Sequence, residues 1–405
     1  MSLKDRLDAL RRQAGAAPAP PLTPASDLRA RLERLGGRAA APSASRASGR
    51  ESPERLAERL GGQLIDHHLI RIERRLPLHT AHGRWTLAFG REPAAPLVEL
   101  PERAAYVDTE TTGLAGGTGT TAFMVGMASF EGEHVRLRQW LITAFAGEAA
   151  MLAEVRRALA EAELIVSYNG KAFDLPLLRD RQRLHGATLA EPEHFDLLHS
   201  VRWLFMRSWP DCRLSTVERR LLGLQRRDDL PGAEAPQAWR DFLAGVPGHA
   251  LHRVVEHNAI DLLSMLVLPP ALARAVRNPL DYGADPAGAA AIWARLGERR
   301  SALETLLDCR ERLDRRGCLQ LAAELKRAGR WEEAVELWQI LARQGCQRSI
   351  EELAKYHEHV RRDWATALAY AERLADTPAA RARRARLARR LARVDDPSLD
   401  LGSVS

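Results

Sequence analysis

Asp108 and Glu110 stand two apart in AAYVDTE, Asp174 closes SYNGKAFD, and His257 and Asp261 stand four apart in VVEHNAIDLLSM. Four carboxylates and an imidazole are the side chains that hydrolysis of a phosphodiester calls for. That reaction needs a nucleophilic water and a leaving oxygen whose developing charge is neutralised. Two divalent cations about 3.5–4 Å apart can supply both. Mg²⁺ and Mn²⁺ prefer hard carboxylate oxygens. The chemistry therefore predicts acids at the ends of elements, far apart in sequence and close in space.

Each stretch also has a plainer reading. Residues two apart on a strand share a face, so Asp108 and Glu110 would lie side by side. The apolar Tyr106-Val107 before them suggests a core strand, where two unpaired acids are costly without a cation. An exposed edge strand would explain an isolated D-x-E equally well. Asp174 follows a hydrophobic strand and an Asn169-Gly170 turn and opens a helix, where aspartate is an ordinary cap. His257 and Asp261 fall on one face of a helix whose Val254, Val255, Ile260, Leu262 and Leu263 mark it as mostly buried. A structural hydrogen-bonded pair would look the same there. An imidazole nonetheless suits a general base at neutral pH.

The elements that must carry these residues can be read along residues 101–278. AAYVDTE, TTAFMVGMASF and HVRLRQWLI read as three strands, and LIVSYNG as a fourth. GEAAMLAEVRRALAEA, AFDLPLLRDRQRLHG, RLSTVERRLLG and ALHRVVEHNAIDLLSMLVL read as helices. That order predicts an α/β domain, a mixed sheet flanked by helices. Residues 51–100 read as an N-terminal extension in which LIRIERRLPL and RWTLAF pair as a hairpin. Residues 1–50 form an Ala/Pro/Arg-rich disordered tail with short helices. Leu3, Leu7 and Leu10 line one such face, Leu28, Leu32 and Leu35 another, and Leu56 and Leu60 begin a third. Ser2, Ser26 and Ser52 stand at the N-cap positions.

Residues 287–375 read as an all-α region of paired helices. The Trp331–Trp364 spacing is close to the tetratricopeptide period, and GRWEEAVELW resembles that family's helix-turn-helix. Residues 379–405 are a basic helix and tail, with Leu387, Leu391 and Val394 on one face. A net charge of +7 and a pI near 9.6 suit a polyanionic partner such as nucleic acid, although arginines scattered over a solvated surface give the same balance. The four cysteines form no C-x-x-C pair. This argues against a disulfide framework or zinc site and points to a reducing, cytoplasmic setting. No signal peptide and no unbroken apolar run of membrane-spanning length are read, so no membrane is expected.

Taken in order, D-T-E-T-T-G-L, N-x-x-x-F-D and H-x-x-x-D resemble the three motifs of the DEDD 3′→5′ exonuclease superfamily. More narrowly, TTGLAGGTGTTAFMVG, SYNGKAFDLP, LSTVERRLLG and VVEHNAIDLLSM resemble the bacterial ribonuclease H-like family of the YprB type, over about residues 55–275. The resemblance implies a ribonuclease H-like sheet and a nuclease using two Mg²⁺ or Mn²⁺ ions, acting on a single-stranded 3′ end. Asp108, Glu110 and Asp261 would hold the ion that activates water, with Asp108 bridging to a second ion bound by Asp174. His257 would be the general base, Thr111 would touch the terminal nucleotide, and Asn169 would lie beside the substrate. Lys171 would meet a phosphate, as Arg179 would. By their chemistry alone, Tyr168, Trp203 and Trp209 suit stacking on bases, with core packing the default for Trp203 in the apolar VRWLF. Asp196, His194 and His199 would line the groove or mark an exposed helix start. The superfamily's histidine branch usually has four residues between base and last Asp, its tyrosine branch three. This chain joins the histidine to the shorter spacing. The contrasting expectation is a retained but inactive nuclease fold that serves as a scaffold, meeting a protein partner through its helical repeats.

Overall fold

The computed structural model describes residues 51–113, 119–189, 192–226 and 228–395. Strand β5 (Ala104–Thr111) is apolar on both faces before it reaches the acids. Ala104 and Tyr106 are buried in one layer, Ala105 and Val107 in the other. A strand buried on both sides belongs in the middle of a sheet. It pairs antiparallel with β6 (Ala122–Glu131), placing Asp108 opposite Gly126, and parallel with β8 (Leu164–Ser167). Strand β7 (His134–Ile142) continues antiparallel from β6, and β9 (Glu193–Asp196) continues parallel from β8.

Two further strands extend the sheet beyond β7. Strand β2 (Leu69–Pro77) runs along its whole length, from Leu69 opposite Ile142 to Pro77 opposite His134, and β1 (Gln63–Asp66) lies outside it. The seven-stranded order is β1-β2-β7-β6-β5-β8-β9. The expected hairpin of LIRIERRLPL with RWTLAF does not form. The long edge of β7 would otherwise present a row of unpaired backbone groups, and β2 closes it. Trp85 instead belongs to a two-stranded ribbon, β3 (Ala81–His82) with β4 (Trp85–Thr86), and stacks on Phe89 at 3.9 Å.

Helix α1 (Pro53–Arg59) is capped by Ser52, whose Oγ accepts from Arg55 N at 3.4 Å, and buries Leu56 and Leu60. On the same core lie α2 (Glu148–Leu159) and α3 (Asp174–Leu184). Helix α4 (Leu197–Phe205) covers the opposite face. The short α5 (Leu214–Val217) winds on through Leu222, and α6 (Ala235–Leu243) buries Trp239, which stacks on Phe123 and donates Nε1 to Ile142 O at 2.8 Å.

Helix α7 (His249–Arg277) joins the two cores. Leu251, Val254 and Val255 pack in the first, and the run from Ala259 to Val276 packs in the second. His257 and Asp261 stand at this crossing. By length and composition α7 is apolar enough to cross a membrane, contrary to the expectation of no such run. Within its most apolar stretch 78% is buried inside the fold, which marks a core helix.

The remaining described chain is helical: α8 (Pro286–Arg295), α9 (Arg299–Asp308), α10 (Arg315–Arg327), α11 (Trp331–Arg343), α12 (Gln347–Tyr356), α13 (Trp364–Glu372) and α14 (Pro378–Asp395). Short turns join them, as packed antiparallel neighbours require. Asp285 caps α8 by accepting from Ala287 N at 2.9 Å, while its own N–H donates to Leu204 O at 2.7 Å. A Cβ on Gly288 would lie 1.9 Å from Trp203 O, so α8 rests directly on the backbone of α4. Leu387 of α14 is buried against α13. The short helices expected around Leu3, Leu7, Leu10, Leu28, Leu32 and Leu35, like the side chain of Val394, lie outside the described residues.

Gly126 links the fold to the acids. A Cβ there would stand 2.1 Å from Asn258 Oδ1 and 2.6 Å from Leu262 Cδ1, so only glycine lets α7 approach β6 this closely. Gly126→Ala is expected to cost about 1–3 kcal/mol by overpacking, read as a lower urea midpoint. A midpoint equal to that of the wild type would overturn this account of the packing.

Candidate active site

Strand β5 ends with Asp108 and Glu110 on the face that α7 covers. Asn258 of α7, fully buried, donates Nδ2 to Asp108 Oδ2 at 2.8 Å. Gln139 of β7 holds Asn258 in turn, donating Nε2 to its Oδ1 at 2.9 Å and to Val255 O at 2.8 Å. Asp174 enters from the start of α3, where Thr109, on the other face of β5, donates its hydroxyl to Oδ1. Glu110 and Asp174 are buried, whereas Asp108 keeps part of its surface open.

The electrostatics show how close the four acids are. Burial raises the pKa of Asp108 well above the usual carboxylate range, and repulsion from Asp261, Asp174 and Glu110 raises it further. Glu110 is raised in the same way, first by burial, then by Asp261, Asp174 and Asp229. Asp174 is pushed up to about 6, chiefly by burial, with the Thr109 hydroxyl opposing. Acids from β5, α3 and α7 thus repel one another in one poorly hydrated place.

Arg226, in the segment before α6, offsets part of that charge. Its guanidinium forms a fork with the buried Glu218, Nε to Oε2 at 2.7 Å and Nη2 to Oε1 at 2.6 Å. Nη2 also donates to Asp261 Oδ1, and Nη1 donates to Asp229 Oδ2 at 3.1 Å. Burial works against this cation, and the pairs with Glu218 and Asp261 more than compensate, so its pKa is raised. Behind it, Ser264 donates its hydroxyl to Glu218, and His82 Nε2 lies 2.8 Å from that hydroxyl. Burial and the charge of Arg226 push His82 down to about 4, so it is neutral.

His257 lies between these groups. Its Nδ1 is 2.8 Å from Asp229 Oδ1, and its Nε2 is 3.7 Å from Asp261 Oδ2. Of the other expected residues, Thr111 donates its hydroxyl to Gly113 O at 2.9 Å at the end of β5, and most of the following Gly-rich loop lies outside the described residues. Asn169 adopts a left-handed backbone, φ 68°. Asp196 holds the turn by accepting from Asn169 N at 2.8 Å and Lys171 N at 3.0 Å, and Lys171 itself is exposed. A Cβ on Gly170 would lie 3.1 Å from Asp174 Oδ2, so this turn borders the acids.

Asp196 is not at an exposed helix start. It is buried at the end of β9 and also caps α4 through Leu198 N at 3.0 Å. His194 faces Ser167, with Nε2 2.8 Å from Oγ, and Trp203 is partly exposed under Arg295 rather than in the core. Tyr168 donates its hydroxyl to Cys212 O, and Trp209 stacks on Phe205, so both rings have internal partners. Sequence reasoning passed over Arg226, Asp229, Glu218, Asn258 and Thr109. The one available signal was Glu218, an acid on the otherwise apolar VERRLL face, followed closely by the charge-dense QRRDD.

Residues 105–272 match the model of the RNase H superfamily. The uncharacterized protein YprB of Bacillus subtilis (strain 168) is 34% identical over 284 residues, which cover 66% of this chain and 68% of that one. This chain belongs to the YprB family. Within the superfamily, divalent metals are in general use. A family B DNA polymerase from the hyperthermophilic archaeon Pyrobaculum calidifontis matches at 14% identity and a TM-score of 0.35, over 65% of this chain and 34% of the polymerase. The match thus spans about a third of the polymerase's length.

An all-oxygen donor set held together against its own repulsion suits hard divalent cations. Among the described residues no three His, Cys, Asp or Glu side chains are grouped to grip an ion in this conformation. The carboxylates are instead turned toward internal donors: Asp108 to Asn258, Asp174 to Thr109, and Asp261 to Arg226.

These pKa shifts give a pH dependence to the metal-free protein. Asp174 holds its proton up to about 6 when folded, against an ordinary value of 3.8. Its contribution to stability is therefore present below pH ~4 and lost as the pH rises through ~6. In EDTA, the wild-type melting temperature should fall across that window more steeply than that of Asp174→Asn, which cannot ionise. Parallel curves for the two proteins would refute the assignment.

Proposed function

We propose that this chain is a divalent-metal-dependent nuclease, hydrolysing phosphodiester bonds in DNA or RNA from a 3′ end. The feature that carries the proposal is the convergence of acids from three separate elements, close enough that Asp261 and Asp174 both repel the charge of Asp108 and Glu110. Such a cluster is costly unless something positive completes it.

Two Mg²⁺ or Mn²⁺ ions, when bound, would make a water nucleophilic and neutralise the leaving oxygen. Asp108, Glu110 and Asp261 would hold one ion, and Asp108 and Asp174 the other. His257 would accept the proton of the attacking water at Nε2. Thr111, Asn169 and Lys171 would receive the terminal nucleotide, with the exposed Lys171 ammonium set against a phosphate. The helical region from α8 onward would offer a surface to a protein partner or to the rest of the substrate. The cytoplasm suits four cysteines that are all free thiols.

A second reading is favoured by one contact. Arg226 already supplies a positive charge at Asp261, as it would in a fold kept for scaffolding and not for catalysis. Incubation with 3′- and 5′-labelled single- and double-stranded DNA and RNA in Mn²⁺ separates the two readings. Stepwise loss from 3′ ends by the wild type, and none by Asp108→Ala/Glu110→Ala, is the expected outcome. Equal loss with both proteins would expose a contaminant, and no loss with any substrate and metal would favour the scaffold.

A further inference from the structure

The segment between α5 and α6 contributes no proposed metal ligand, yet three of its residues surround the ring of His257. Asp229 Oδ1 is 2.8 Å from Nδ1. Arg226 Nη1 is 3.1 Å from the same Nδ1 and 3.1 Å from Asp229 Oδ2. A Cβ on Gly232 would lie 3.3 Å from Nε2. The histidine ring is mostly enclosed, its side chain 14% exposed.

Two tautomers of the neutral ring are possible in principle, and these contacts separate them. If Nε2 carried the proton, the Nδ1 lone pair would accept from Arg226 Nη1 at 3.1 Å but would also face the closer Asp229 Oδ1 at 2.8 Å, lone pair against lone pair. If Nδ1 carries it, Nδ1–H donates to Asp229, and the Arg226 N–H goes to the other oxygen of that carboxylate. The second arrangement gives the shorter of the two Nδ1 contacts its proton and keeps Arg226 Nη1 paired with Asp229 Oδ2. It also leaves the Nε2 lone pair directed toward Asp261 and the acids beyond. At 3.7 Å from Asp261 Oδ2, Nε2 is outside direct hydrogen-bond range, and Gly232 presents no side chain to it. Glycine at 232 thus leaves unfilled the space that a Cβ would take 3.3 Å from the one ring atom able to take a proton.

We infer that Asp229 is a positioning residue for His257: its carboxylate, held by Arg226, fixes the Nδ1–H tautomer and aims the basic Nε2 at the acid cluster. The role assigned to that base rests on the proposed nuclease reading, whereas the tautomer does not. An aspartate that only orients an imidazole still matters greatly for rate, because the wrong tautomer presents a proton where a lone pair is needed.

The test is Asp229→Asn in the full chain, the closest isostere. Its carboxamide can donate to Nδ1 and so invert the tautomer. With ¹⁵N-histidine labelling at pH 8, and His257→Gln to identify the resonances, the wild type should show a pyrrole-like Nδ1 and a pyridine-like Nε2 at His257. Asp229→Asn should exchange the two. On labelled substrate in Mn²⁺ the variant should lose on the order of 10²-fold in kcat, with KM and Mn²⁺ affinity by calorimetry within about twofold of wild type. A wild-type His257 protonated at Nε2, or a variant whose tautomer is unchanged, would overturn the inference. If the wild type lacks nuclease activity altogether, the nuclease proposal fails, and the NMR result alone still decides the role of Asp229.

Discussion

Like charges held in a poorly hydrated place are the constraint around which this fold is arranged. Four carboxylates meet where β5, α3 and α7 converge, and Asp261 and Asp174 raise the free energy of the ionised forms of Asp108 and Glu110. The surrounding structure supplies donors in proportion. Asn258 and Thr109 serve as neutral donors, and Arg226 is a buried cation shared among Glu218, Asp229 and Asp261. The outer layer then follows. Gln139 exists to hold Asn258, Ser264 and the neutral His82 to hold Glu218, and Gly126 to let α7 come close enough for any of this to connect. A centre that is unfavourable by itself is stabilised by layers that would have no reason to be polar without it.

Much of this could be read from the sequence because it depends on local patterns. Short apolar runs predicted β5, β6 and β7, and helical spacing predicted α2, α3 and α7. The two-residue step from Asp108 to Glu110 and the four-residue step from His257 to Asp261 are intrinsic to strand and helix. The placement of β2 was not legible, because whether LIRIERRLP pairs with its sequence neighbour or with β7 depends on which edge is left open. Strand β9 is too short to show a period, and its Asp196 has an explanation only when Asn169 and Lys171 are beside it. Arg226 and Asp229 escaped for a related reason. In QRRDDL they look like any solvated charge run, and their importance arises from residues far along the chain.

Helix α7 carries both the centre of the core and the last part of the site. Val254, Val255, Leu262, Met265 and Leu266 are its buried stripe, and His257, Asn258, Asp261 and Ser264 are its polar stripe. The polar side chains stand beside the hydrophobic seam, which explains why this helix is apolar enough to resemble a membrane span and yet is read correctly as the protein's interior.

The double role of α7 limits how its sequence can change over time. Inserting or deleting one residue between His257 and Asp261 would turn everything beyond it by about 100°. That would carry Leu262, Met265 and Leu266, together with the acid, out of the packing positions they hold, so the three-residue gap cannot lengthen without dismantling the interior. Only replacement in place remains, and the position one step earlier is Glu256, which points at Arg74 of β2 with an ion pair of 2.9 Å. A histidine there would face the neighbouring strand and lose sight of Asp229. The short spacing is therefore locked in by the interior of the protein as much as by its chemistry.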